Sequence, residues 1–340
     1  MPRHSNALMT MAAFIIVIAG AKAAQAIVAP FLLAVFIAVI SAPLLLWLEG
    51  HGVPRILSFI VVTAGVVGVF MGIGVIIGNS MDGFLTSLPE LQIKLSAFSA
   101  QALEWVQQVG IPLDISALPA GLDPANVLNT AGSFLKSTTK ILSSSFLIFL
   151  MVTFMLFETV SLRAKLHILS EKSPQNLEAV ELFMKNLKRY LAIKSLASVA
   201  TGVIIGVALS FLGIKYALLW GMIALLMNYI PTIGSVLAAI PVVLVTLAEG
   251  DWQQVLWVVA VFALVNVMIG NFIEPRFMGK GLGISTLVVL LSLLFWGWVL
   301  GSVGMFLAIP LTMSMKIALD VNPKTQWISL LISDYRGNSR

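Results

Sequence analysis

The segment from Ile56 to Asn79 contains no charged residue, and roughly 20 such residues are what an α-helix needs to cross the hydrocarbon of a bilayer. Comparable apolar runs recur at Ala7–Val28, Phe31–Leu48, Ile141–Thr159, Tyr190–Leu212 and Trp252–Ile273, and two interrupted runs cover 216–248 and 284–319. Inside a bilayer every backbone N–H and C=O has to find its partner within the protein, which leaves helices and closed barrels as solutions. The runs are continuous rather than alternating, so a barrel is disfavoured. Only 10% of the 340 residues are charged and 59% are hydrophobic, against about 25% charged in a soluble domain. The sequence predicts an all-α polytopic membrane protein with about eight embedded segments.

The organisation follows from where polar residues return. Residues 1–79 read as three N-terminal transmembrane helices, the first two joined at Ala29-Pro30, where proline suits a turn or a helix start. Arg3, the first apolar run and the sequence AKAAQA resemble a cleavable signal. A second apolar run follows at once, so the first is read as a retained span. Residues 80–140 form a polar excursion, helical with a short strand at Ile111–Ile115. A fourth span covers 141–160, a basic helical segment opened by Ser173-Pro174 covers 161–189, the transport core covers 190–319, and a tail covers 320–340. Pairs of glycines four apart, Gly68/Gly72, Gly74/Gly78 and Gly202/Gly206, predict close helix packing.

Charge sets the orientation. The excursion has three lysines (Lys94, Lys136, Lys140) against five acids, whereas 161–189 has six basic residues against three acids. The positive-inside rule places 161–189 and both termini in the cytoplasm and the excursion outside. The fifth span then ends outside near Gly213, and the next polar link, Ala248–Asp251, is acidic and also reads as external. The apolar residues between them number about 32, too few for two crossings of roughly 20 residues plus a turn. A re-entrant hairpin over 216–248, turning at Tyr229–Gly234, resolves the count. The span 252–273 returns to the basic EPRFMGKG, and 284–319 reads as a second hairpin that enters from the other side. Both hairpins contain GSV and AIP, in Gly234–Pro241 and in Gly301–Pro310. Interrupted segments in paired positions point to the binding site of a transporter.

Much chemistry is absent from the chain. It has no cysteine, and its histidines, His4, His51 and His167, lie near predicted ends or loops. No HExxH or Walker A pattern occurs, so no metal, no cofactor and no enzyme activity are expected. The net charge of +5 reports topology rather than nucleic acid. Lys22, Lys194, Lys215 and Lys316 lie near predicted span ends and read as snorkelling side chains. Glu274 and Arg276 flank Pro275 and read as a local ion pair, or as gating or coupling groups. The uncharged set Asn228, Tyr229, Thr232, Ser235, Asn266 and Asn271, with Trp296 as a wall, suits a small neutral polyol that needs donors and acceptors rather than counter-charges. The plainer reading is that these groups cap broken helices and hold the bundle together. Pro231, Gly234, Pro241, Gly297, Gly301, Gly304 and Pro310 are the expected hairpin hinges.

The blocks NYIPTIGSVLAAIP and GNFIEPRFMGKGLGISTLVVLLSLLFWGWVLGSVGMFLAIPLTMSMKIAL resemble the AI-2E family, the autoinducer-2 exporters, as do APFLLAVFIAVISAPLLLWLE and Val53–Arg55. The resemblance implies export, or bidirectional passage, of autoinducer-2, a small polyhydroxylated quorum-sensing signal, across a bacterial inner membrane; the paired hairpins, not the resemblance, place the site between the two hairpin tips. The resemblance also implies a homo-oligomer, pentameric in the family. Some relatives are assigned to Na⁺(Li⁺)/H⁺ exchange, which leaves cation/proton antiport, with Glu274 as the titrating carboxylate, as the alternative. A non-transporting membrane scaffold is a third class.

Overall fold

The computed structural model describes residues 2–108, 133, 146–158, 174–231, 233–249, 252–278, 284–321 and 325–333. Among these residues the chain is helical and carries no strand. In chain order the helices are α1 (Pro2–Ala23), α2 (Gln25–Gly50), α3 (Arg55–Gln108), α4 (Phe146–Glu158), α5 (Pro174–Phe211), α6 (Ala217–Met227), α7 (Gly234–Ala248) and α8 (Trp252–Val265). A π-helical turn (Asn266–Ile273) leads into α9 (Glu274–Met278), and α10 (Thr286–Val321) and α11 (Gln326–Ile332) follow. Among the described residues, five stretches are long and apolar enough to cross a membrane: Gln25–Gly50, Arg55–Gln101, Met184–Phe211, Trp252–Phe277 and Thr286–Asp320. The chain is an all-α polytopic membrane protein. The short strand expected at Ile111–Ile115 lies outside the described residues.

Three local expectations change. The junction of α1 and α2 falls at Ala24 and not at Ala29-Pro30, and Pro30 lies inside α2. Ala24 (φ −90, ψ 14) departs little from helical geometry. Its N–H still bonds the Gly20 carbonyl at 2.9 Å, and its carbonyl accepts from Val28 at 2.9 Å. The helical ladder bends there rather than reversing. The helix of the third span does not end at Asn79 either, since α3 runs unbroken for 54 residues from Arg55 into the polar segment. The hydroxyls of Thr86, Ser87, Ser96 and Ser99 fold back onto carbonyls three or four residues earlier, so these polar residues do not interrupt the backbone ladder. Finally, a Cβ on Gly68, Gly72, Gly74 or Gly78 would meet nothing within 4 Å. Those glycines pack against no other described part of the chain. Pro174 is the first described residue of α5.

The chain forms two compact units: Met1–Val67, Ser144–Ile193 and Phe277–Arg340 make the first, and Gly68–Ser143 and Lys194–Arg276 the second. In the first, Leu187, Tyr190 and Leu191 pack with Ile284, Ile309 and Met313 and with Phe36, Val39 and Ile40. Phe59 meets Phe157 edge-on at 5.4 Å. Within α10, Gly301 (φ 66, ψ −149) breaks the helix. Trp296 Nε1 donates to Thr312 Oγ1 at 3.0 Å, and that hydroxyl donates to Ser292 Oγ at 2.8 Å. In a straight helix, residues 16 apart would be separated by about 24 Å, so α10 folds back at Gly301 into two arms. Gly304 closes this turn, because a Cβ there would collide with the Trp296 carbonyl, and Gly297 faces Met305 across the arms. Pro310 lies within the second arm and away from the turn. Lys22 Nζ sits 3.6 Å above the Trp298 ring, and the Gln25 amide lies against Gly301.

In the second unit, α6 and α7 form the other hairpin. Its two ends meet, with Lys215 Nζ 2.7 Å from Glu249 Oε1. Hydrogen bonding and charge from Glu249 hold the Lys215 ammonium above its usual pKa, so the lysine stays charged through neutral pH and its contribution to the pair is lost only as it deprotonates in strong alkali. Tyr216 adopts a left-handed conformation (φ 60) at the start of α6. It packs edge-on against Phe84 at 6.0 Å, and Phe84 also meets Trp220 at 5.2 Å. The decisive packing is between α5 and α6. A Cβ on Gly221 would lie 2.7 Å from the Gly202 carbonyl oxygen and 2.9 Å from Gly206 Cα. A Cβ on Gly202 would meet Leu225 Cβ at 2.6 Å. Only glycine lets these two backbones touch. Gly221→Ala should therefore destabilise the protein by about 1–3 kcal/mol through overpacking, whereas Gly72→Ala, with open space around it, should be neutral to stabilising by up to about 1 kcal/mol; thermal unfolding of the two variants in one detergent compares them.

Candidate functional site

The close approach of α5 and α6 brings the end of α6 onto a polar stripe of α5. Lys194, Ser195, Ser198 and Thr201 recur at helical spacing along α5, so they line one side of its largely apolar second half. At the end of α6 the chain turns through Asn228–Ile233. Asn228 N–H bonds the Ala224 carbonyl at 2.9 Å, Ile230 N–H bonds Met227 at 2.8 Å, and Gly234 N–H bonds Ile230 at 3.2 Å. Gly234 is required there, because a Cβ would overlap the Met227 carbonyl. Pro231 lies in the turn, as expected of a hinge, but Pro241 is buried within α7 and is not one. Thr232 lies outside the described residues.

The turn presents two side chains to α5. Asn228 Nδ2 donates to Ser198 Oγ at 3.0 Å and to Glu274 Oε1 at 3.4 Å. Tyr229 OH donates to Ser195 Oγ at 2.9 Å. Glu274 arrives from α9, directly after the π-helical turn, and takes the Lys194 ammonium on both carboxylate oxygens at 2.8 and 3.0 Å. The two side chains are only 7% and 12% exposed. The Thr201 hydroxyl, one turn beyond Ser198, is buried with no hydrogen-bond partner.

This arrangement differs from the sequence reading in instructive ways. Lys194 does not snorkel but is buried and paired. Glu274 pairs with Lys194 rather than with Arg276, which is exposed. The cluster is thus not an uncharged set but a self-neutralised ion pair ringed by an amide and three hydroxyls. Asn228 and Tyr229 belong to it. Asn266 and Asn271 lie in the π-helical turn and do not join the network, and neither does Ser235 at the start of α7. Trp296 is tied to Thr312 within the other hairpin. Lys194, Ser195 and Ser198 escaped attention as a group, although their three- and four-residue spacing with Thr201 was visible in the string KSLASVAT.

Comparison with known proteins adds a second, independent line. The family profile for the AI-2E family transporter matches residues 11–324. The chain belongs to the AI-2E transporter family. It is 37% identical over 321 residues to the AI-2 transport protein TqsA of Escherichia coli K12, covering 94% of this chain and 93% of that one. It is 35% identical over 333 residues to a protein of Haemophilus influenzae Rd, covering 96% of each. It is 31% identical over 333 residues to YhhT of Escherichia coli K12, covering 98% and 95%. These relationships make the chain a transporter rather than an enzyme, and the buried cluster of α5, the α6–α7 turn and α9 is its best candidate for a transport site.

Breaking a buried ion pair from one side leaves an uncompensated charge, which costs about 3–5 kcal/mol, whereas replacing both partners is often neutral. Lys194→Met should therefore lower thermal stability sharply, and Lys194→Met with Glu274→Gln should recover most of the loss, as read from unfolding curves of the purified proteins.

Proposed function

We propose that this protein exports autoinducer-2 across the bacterial inner membrane, with the tip of the α6–α7 hairpin as its solute site. The observation that carries the reading is the buried network of Lys194, Glu274, Asn228 and Ser198. It offers many donors and acceptors but no net charge, which suits a small neutral polyol better than a free ion. The printed name of the TqsA relative supports the same solute class. The hairpin is read as re-entrant: α6 and α7 have 11 and 15 residues, or about 16 and 22 Å, each short of a hydrocarbon core of about 30 Å. Its two ends are joined by the Lys215–Glu249 pair. Ser198, level with the tip, lies 13 residues before the end of α5 at Phe211, or about 20 Å along the helix. Irregular backbone at that depth is tolerated where it lines a cavity or is buried in protein. Both termini are assigned to the cytoplasm by loop charge, and the active form is taken to be a homo-oligomer, a pentamer by family resemblance.

One observation favours a second reading. A carboxylate buried beside an ammonium is what cation/proton exchange requires. Retained proton-coupled sodium flux in a Glu274→Gln protein would dispose of it.

Asn228→Leu removes the amide that donates to both Ser198 and Glu274, and hydrogen bonds to charged groups contribute about 1.5–3 kcal/mol. The variant should slow efflux of labelled autoinducer-2 from proteoliposomes by roughly tenfold or more, at unchanged protein level. Wild-type efflux in this variant removes the hairpin tip from the pathway. No flux of the labelled signal in the wild-type protein removes the solute.

A further inference from the structure

Glu274 owes its direction to the backbone that precedes it. Residues Asn266–Ile273 are π-helical, and the N–H of Glu274 bonds the carbonyl of Ile269, five residues back. Such a turn holds one residue more than an α-helix over the same length, and π turns occur mostly as single insertions in α-helices, often at functional sites. If the same residues relaxed to α-helical bonding, everything beyond them would rotate by about 100° and advance about 1.5 Å. The Glu274 carboxylate would swing roughly 9 Å around a helix of this radius. That distance takes it off both Lys194 and Asn228.

Two features make the relaxation inexpensive. Pro275 has no N–H, so in neither register is there a bond from position 275 to break. Gly270 sits at the middle of the turn and brings no side chain to repack when the register changes, a Cβ there meeting Asn266 Oδ1 at 3.3 Å, although glycine also weakens the pull toward α-helical bonding. One further bond, from Arg189 Nη2 to the Phe277 carbonyl at 2.9 Å, ties α9 in place. Against these stands the Lys194–Glu274 pair at 2.8 Å, which holds the carboxylate where the π turn aims it. The ion pair and the strained register sustain each other.

We propose that Gly270 is a positioning residue of the transport site: it admits the π turn that aims Glu274 at Lys194 and Asn228, and return of the turn to α-helical register withdraws the carboxylate and opens the site. This rests on the assignment of the α6–α7 tip as the solute site. Solute hydroxyls that satisfy Lys194 and Asn228 release Glu274, and the α-helical preference of the segment then drives the rotation.

The chain has no native cysteine, so two spin labels can be placed without background. Leu196, 73% exposed on α5, and Arg276, exposed on α9, report the rotation as two distances in the full-length protein in lipid nanodiscs. Gly270→Ala favours α over π by the helix-propensity difference, and should enlarge the second distance population about fivefold. Deletion of Asn271 removes the extra residue, leaving a plain α-helix that aims Glu274 at Lys194 permanently. It should show one distance, with autoinducer-2 efflux reduced at least tenfold. An unchanged distance distribution in Gly270→Ala overturns the proposal, as does wild-type efflux in a deletion variant that shows one distance. The distance measurement needs no transported solute, so a wrong solute assignment leaves it readable.

Discussion

The ion pair between Lys194 and Glu274 is the contact on which the rest of the candidate site depends. In water such a pair is worth little, because hydration competes for both charges. Buried among apolar helices the same two charges are costly to separate, since each alone is costly to desolvate. The pair thus dictates that α5 and α9 lie within side-chain reach. It also fixes the register of the π-helical turn that delivers Glu274. Asn228 adds a third element by donating to the same carboxylate.

That third element is present because of glycine. Gly202, Gly206 and Gly221 remove the side chains that would keep α5 and α6 apart, and at contact distance the end of α6 falls opposite Ser198 and Ser195. Packing and polarity are coupled here. Small residues bring the backbones together, and the polar groups that become buried as a result are satisfied by one another. The Thr201 hydroxyl is the exception, an unpaired group one turn from the network. A buried hydroxyl with no protein partner is a natural place for water or a solute hydroxyl.

The two hairpins solve one problem with the same device in different detail. Each reverses a helix within an apolar environment, and in each a glycine is pressed against a carbonyl in the last turns of the first arm: Gly234 against Met227, and Gly304 against Trp296. The arms are then held by what the local sequence supplies. In α10 a Trp296–Thr312–Ser292 chain of hydrogen bonds ties them. In the α6–α7 hairpin an ion pair closes the open end. The shared GSV is therefore only an approximate guide, because the closing glycine of the second hairpin is the one after that triplet, and Gly301 before it makes the break.

What the sequence determined by itself was the class of structure: long charge-free runs in a medium without water admit only helices, and breakers within such runs demand a reversal. The family was legible for the same reason, in the polar and breaking residues of the hairpins. What only the tertiary structure decided was which polar groups meet. Lys194 and Glu274 are 80 positions apart, and no local pattern links them. Each sits beside a nearer, plausible arrangement: a snorkelling path for Lys194, and Arg276 for Glu274. The deciding term is the contact of α5 with α6 and the extra residue of the π turn. Both are sums over many weak packing and backbone preferences, and neither is carried by any one stretch of sequence.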